Sequence, residues 1–93
     1  MNNKVKVGVC GVGSLGQHHA RIYSELDGVQ LVGVYDVDAG RAGEIAARHG
    51  TRAFSNLAEF ALSVEAASIV VPTDRHHEVA ALFMEQGVHL LVE

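Results

Sequence analysis

Val5-Lys6-Val7-Gly8-Val9-Cys10-Gly11-Val12-Gly13-Ser14-Leu15-Gly16-Gln17-His18-His19-Ala20 is the stretch on which the fold turns. Its first six residues make a short apolar run. Gly11, Gly13 and Gly16 come next in the spacing G-x-G-x-x-G, and from Leu15 onward the apolar positions change period: Leu15, His19, Ile22 and Leu26 share one face of a helix. The segment therefore reads as a strand turning through glycines into a helix. Gly11 suits the tight turn, Gly13 the close approach of another group to the backbone, and Gly16 the close packing of helix on strand.

The same alternation continues along the chain. Short apolar runs at Leu31 to Tyr35, Ala67 to Val71 and Leu90 to Val92, with a weaker one at Thr51 to Phe54, have the composition of strands covered on both faces. Between them, Ala42, Ile45, Ala46 and His49 share a helical face, as do Val79, Leu82 and Phe83. Gly28, Gly50 and Gly87 each come after a periodic segment as candidate left-handed caps, and Asn56 with Glu59 marks a short helix from Leu57 to Leu62. Crossover helices impose parallel, right-handed connections. The expected fold is thus α/β, a doubly wound parallel sheet of the Rossmann type with five strands in the order 3-2-1-4-5 and helices on both faces.

In that fold a glycine loop at a helix N-terminus is an anion site, because the first-turn amides and the helix dipole face whatever lies above them. Asp36 ends the second apolar run about twenty residues after Gly16. A carboxylate there accepts hydrogen bonds from the ribose hydroxyls of a dinucleotide and repels the 2′-phosphate of NADP. The expected cofactor is NAD, with NADP less favoured. Arg41, early in the second helix, weakens that preference because its guanidinium could reach a 2′-phosphate or stack on adenine, but it is read first as a solvated helix residue.

Composition excludes several other classes. With 93 residues, 48% hydrophobic and 19% charged, the chain has one domain and one continuous unit, 1–93. A net charge of −4 without a basic stripe argues against nucleic acid. The chain enters its first apolar run without a signal-peptide pattern, and no run is long enough to span a membrane, so a cytoplasmic setting is expected. Cys10 is expected to be a buried small side chain. Six histidines suggest metal, but His18-His19 and His76-His77 are adjacent pairs that point apart on a helix, and no metal site is expected. His19 is read as a packed helix residue and His18 as exposed.

The segment Val70-Val71-Pro72-Thr73-Asp74-Arg75-His76-His77-Glu78-Val79-Ala80 carries a strand into a helix. Pro72 ends the strand at the carboxyl edge, and Thr73 or Asp74 can cap the helix. Taken with the glycine loop, His19, Asp36 and the ending Gly87-Val88-His89-Leu90-Leu91-Val92-Glu93, this resembles the N-terminal domain of the Gfo/Idh/MocA oxidoreductases over the whole chain. Val71, where that family often has Thr or Ala, and Glu65-Ala66-Ala67 at the entry to the fourth strand are departures that blur the subfamily.

The resemblance implies an NAD(P)-dependent enzyme that moves a hydride between the nicotinamide and a sugar, inositol or related polyol. Gly11, Gly13, Ser14, Leu15 and Gly16 would meet the pyrophosphate and Asp36 the adenosine ribose. Pro72, Thr73 and His76 would line the nicotinamide side, and Glu93 would lie near the nicotinamide ribose. The family's catalytic Lys would come next after Glu93, so no catalytic residue is assigned here and the chain is expected to be an inactive fragment without the substrate domain. Biliverdin, dihydrodipicolinate and aspartate dehydrogenase-like enzymes have similar N-terminal domains, and a non-catalytic nucleotide-binding module is the alternative of another class. The last strand is expected to be an open edge through which the chain forms a homodimer.

Overall fold

In the computed structural model the described residues are 4–71 and 73–92, with side chains described for all of these except 73–77 and 92. Nine elements alternate: β1 (Val5–Cys10), α1 (Ser14–Glu25), β2 (Val29–Tyr35), α2 (Ala39–His49), β3 (Arg52–Phe54), α3 (Leu57–Ser63), β4 (Ala66–Ile69), α4 (Thr73–Glu85) and β5 (His89–Val92). All neighbouring strands pair parallel, in the order β3-β2-β1-β4-β5. This is the expected doubly wound order. The connections change direction between β1 and β4, which opens a crevice at the carboxyl ends of those two strands.

Each face of the sheet has its own core. On one, α1 and α2 bury Ala20, Ala42, Ile45 and Ala46 over Val9 and Val34. On the other, α3 and α4 bring Phe60, Val79 and Phe83 over Cys10, Ala67 and Ile69. Phe60 is the centre of that second face, 5.2 Å from the Phe54 ring and 5.7 Å edge-on to Phe83. Gly8 and Gly33 pair across β1 and β2 beneath these rings, and a Cβ on either would overlap the Phe60 or Phe54 ring. The aromatic layer thus lies directly on the backbone.

Helix ends reflect local chemistry. Asp38 and Asn56 accept hydrogen bonds from the amides of Arg41 and Glu59 and so start α2 and α3. Gly50 closes α2 in the left-handed region at φ 64°, and Gly87 comes after α4 at φ 72°. Gly28 is also left-handed, but α1 has already ended at Glu25, so this glycine belongs to the turn into β2 rather than to a cap.

The apolar face read for α1 is not the buried one. Leu15, Ile22 and Leu26 are each about half exposed (47%, 48% and 49%), while Gly16 and Ala20 face the sheet. Small residues let the helix sit low. Leu91 on β5 is also half exposed. Among the described residues no helix is long and apolar enough to cross a membrane.

Candidate functional site

β1 ends in the glycine loop. Gly11 adopts φ 96°, a left-handed conformation, and a Cβ there would overlap the Val70 carbonyl at the end of β4. A Cβ on Gly16 would overlap the carbonyl of Gly11 itself. The loop is therefore folded back on its own helix and held between two strands: the Gly11 amide donates to Tyr35 O at 2.7 Å, and the Val70 amide donates to Cys10 O at 2.8 Å.

Gly13 is the N-cap of α1, and neither a capping side chain nor an acidic first-turn residue answers the amides beyond it. α2 and α3 have side-chain caps; α1 does not. First-turn amides without an internal partner, a dipole pointing outward and a backbone left open at Gly13, where an added Cβ would meet only Arg41 at 3.8 Å, together fit a phosphate group.

Asp36 stands beside this loop. Its Oδ2 accepts from the Val12 amide at 2.8 Å and its Oδ1 from the Asp38 amide at 2.8 Å, so the carboxylate fixes both the glycine loop and the start of α2. Each oxygen retains a further lone pair for an external donor. Arg41 Nε lies 3.7 Å from Asp36 Oδ2, and its Nη2 lies 3.8 Å from Asp38. Arg41 is thus tied to the site rather than a freely solvated helix residue. The guanidinium is always charged and 43% exposed, so these two ion pairs draw it toward the rim of the loop without a hydrogen bond.

These residues line a cleft of about 480 Å³ bounded by Cys10, Gly11, Gly13, Asp36 and Arg41 on one side and by Val70, Val71 and Val79 on the other. Tyr35, Val37 and Leu57 complete it. Burial pushes the Cys10 thiol up to about 12, and the charge of Asp36 adds to the rise. Cys10 is therefore a neutral, apolar part of the floor.

Of the residues expected in the site, Gly11, Gly13 and Asp36 line the cleft. Gly16 is buried beneath the loop, Leu15 is half exposed in the first turn of α1, and Ser14 borders a smaller depression between α1 and α2. Thr73 and His76 lie in α4, with side chains outside the described set. Pro72 and Glu93 lie outside the described residues. The apolar wall of Val70, Val71 and Val79 is a part of the site that the motif spacing does not mark, although strand-end residues at a topological switch are its usual signal. His19 packs under the edge of α1 with its Nδ1 2.9 Å from Ser68 Oγ, and no group of three metal-ligating side chains comes together among the described residues.

A crevice at the switch point, an uncapped helix over a glycine loop and an acid at the end of β2 define an NAD-binding Rossmann domain. Residues 5–93 match the oxidoreductase family with NAD-binding Rossmann fold known as Gfo/Idh/MocA. The chain belongs to that family. It is 45% identical over 89 residues to UDP-N-acetylglucosamine 3-dehydrogenase of Acidithiobacillus ferrooxidans, covering 96% of this chain and 28% of that enzyme. It is 36% identical to an NADP(+)-dependent scyllo-inositol 2-dehydrogenase of Bacillus subtilis, again over 96% of this chain and 28% of the relative. A solved structure of the Acidithiobacillus enzyme superposes with a TM-score of 0.91 at 44% identity over 96% of this chain and 29% of that one. The structure of GenD2 from gentamicin A biosynthesis, in complex with NAD, gives a TM-score of 0.90 at 28% identity over 96% and 26%. The chain thus spans little more than a quarter of the length of the relatives it matches.

Proposed function

We propose that this chain is the cofactor-binding part of an NAD-dependent dehydrogenase acting on a hydroxyl-bearing carbon of a sugar, inositol or related polyol. The observation that carries the reading is the uncapped N-terminus of α1 above the Gly11–Gly16 loop, with the Asp36 carboxylate bonded to the Val12 amide beside it. The amides around Gly13, Ser14 and Leu15 meet the pyrophosphate, while Gly11 and Gly16 allow the approach. Asp36 takes the adenosine ribose. Pro72, Thr73 and His76 line the nicotinamide side, and Glu93 lies near the nicotinamide ribose. Bound NAD supplies the hydride acceptor.

The polyol class rests on the relatives, two of which are named for oxidation of a sugar nucleotide and of an inositol. NAD is favoured over NADP because Asp36 places a carboxylate where a 2′-phosphate would sit, and Arg41 offsets this only in part because it is held by Asp36 and Asp38. Hydride transfer needs a positioned substrate as well as a positioned cofactor, and the residues of this cleft supply the cofactor's part. Its setting is cytoplasmic, and its partners are the dinucleotide and a second copy of itself.

Calorimetric titration with NADH and NADPH tests this. The expected result is saturable NADH binding and weaker NADPH binding. No binding at millimolar NADH would overturn the reading of the cleft, and NADPH binding as tight as NADH binding would overturn the placement of Asp36 at the ribose.

A further inference from the structure

Ser68 is the buried polar residue of the described core, at 0% exposure, and it lies on β4 on the face that α1 covers. Its hydroxyl is shared by two side chains of α1: His19 Nδ1 at 2.9 Å and Tyr23 Oη at 2.7 Å. The two rings meet edge to face, with centroids 6.4 Å apart and planes at 79°. One hydroxyl gives one hydrogen and accepts another, so the chain of bonds is satisfied when it runs in a single direction, from Tyr23 through Ser68 to His19 or the reverse. A buried hydroxyl with two partners is costly to leave unmade and directional when made.

The location gives these bonds a consequence. Two residues beyond Ser68, Val70 places its carbonyl against Gly11 and its Cβ 3.7 Å from where a Gly16 Cβ would stand. Val70 and Val71 then form one wall of the cleft, opposite Asp36 and Arg41. α1 carries the phosphate-facing amides, and β4 carries the wall. α1 meets β4 directly, and the Ser68 hydroxyl is the polar link between them in the described core.

We propose that His19, Ser68 and Tyr23 are positioning residues for the cofactor: their hydrogen bonds fix α1 on β4 and so set the distance between the phosphate loop and the Val70–Val71 wall. The inference rests on the reading of the cleft as a dinucleotide site. It separates the two halves of the ligand. The adenosine and pyrophosphate depend on α1, Asp36 and the loop, whereas the nicotinamide half reaches toward β4. Loosening the join therefore costs affinity for the whole dinucleotide and spares ADP.

The test compares dissociation constants for NADH and ADP in the 93-residue chain and in His19→Leu, His19→Asn and Tyr23→Phe, with melting temperatures measured alongside. Leu keeps bulk and helix propensity but removes the polar atom. Asn offers either an acceptor or a donor near the place of Nδ1. NADH binding is expected to weaken about fivefold in His19→Leu, the factor carried by one net hydrogen bond, with ADP unchanged, and to recover in His19→Asn. Tyr23→Phe, which leaves the helix intact, gives the same separation should His19→Leu fail to fold. A merely structural role would weaken NADH and ADP together in proportion to the lost stability, or leave both unchanged; either outcome, or no recovery in His19→Asn, overturns the proposal. Failure of the unaltered chain to bind NADH would remove the cleft reading and this inference together, whereas normal binding with an unchanged NADH-to-ADP ratio in the variants removes the inference alone.

Discussion

Replacing Asp36 with Asn removes one charge and keeps the shape of the side chain. In the structure that carboxylate holds the Val12 amide at 2.8 Å, the Asp38 amide at 2.8 Å and Arg41 Nε at 3.7 Å. Asn retains one oxygen and must turn its amino group toward one of the two backbone donors. A hydrogen bond to a charged acceptor is worth about 1.5–3 kcal/mol, and its loss is felt in full where the donor cannot turn to water, as with Val12 at 0% exposure. The Arg41 pair adds little, under about 1 kcal/mol, because the guanidinium is 43% exposed. The cofactor-free protein should therefore lose about 2 kcal/mol of the roughly 5–15 kcal/mol expected of a small domain. NAD should weaken about tenfold from the loss of one charge-assisted bond to the ribose, while NADP is relieved of its repulsion. Urea denaturation gives the stability, and parallel titrations with NADH and NADPH give the preference, which should narrow by at least about tenfold. An unchanged NADH-to-NADPH ratio in a folded Asp36→Asn protein would refute the placement of Asp36 at the ribose.

The same geometry yields three further expected outcomes. The Cys10 thiol titrates at about 12 in the folded chain against 9.0 in an unfolded one, so the stability it contributes is full below pH 9.0 and is lost as pH rises toward about 12; Cys10→Ala should flatten that alkaline fall, and rapid reaction of the native thiol with a disulfide reagent at pH 8 would contradict its burial. Gly16→Ala drives a Cβ into the Gly11 carbonyl, and a loss of about 1–3 kcal/mol in urea denaturation together with weakened NADH binding is expected, a wild-type urea midpoint being the contrary result. The half-exposed stripe of Leu15, Ile22 and Leu26 on α1 predicts a homodimer by light scattering coupled to size exclusion, and a strict monomer at high micromolar concentration would contradict it.

Strand order and the position of the loop were legible in the sequence because each rests on local signals that tertiary packing reinforces. The apolar runs lie at the strands within two residues, Asn56 caps α3 through Glu59 as its spacing indicates, and Asp36 stands beside the glycines. The orientation of α1 was not legible. Helical period identifies an apolar stripe, but Gly16 and Ala20 determine how closely the helix approaches the sheet, and the stripe of Leu15, Ile22 and Leu26 is left half exposed. Period tells which residues share a face, not what lies opposite.

The site shows the same division. Gly11, Gly13 and Asp36 were legible because a loop that cradles phosphate and an acid at the next strand end have fixed spacing. Arg41 was legible only as an alternative to a solvated residue, because its pairing with Asp36 and Asp38 depends on how α2 sits over the loop. Ser68 gave no signal, since a serine in a strand acquires meaning only from the helix above it. The seating of Phe60 and Phe54 on Gly8 and Gly33 likewise depends on pairing between strands distant in sequence.

The central claim is that the glycine loop and the start of α1 hold the pyrophosphate of NAD, and amide chemical-shift mapping of the labelled chain with NADH tests it most directly. The account predicts that the largest shifts fall on Val12, Gly13, Ser14 and Leu15, with smaller ones at Asp36 to Asp38, and that they saturate with NADH and are reproduced in part by ADP. Shifts that cluster instead around Lys4, Gln30 and Leu62 at the opposite end of the sheet, or no saturable shift at millimolar NADH, would contradict it.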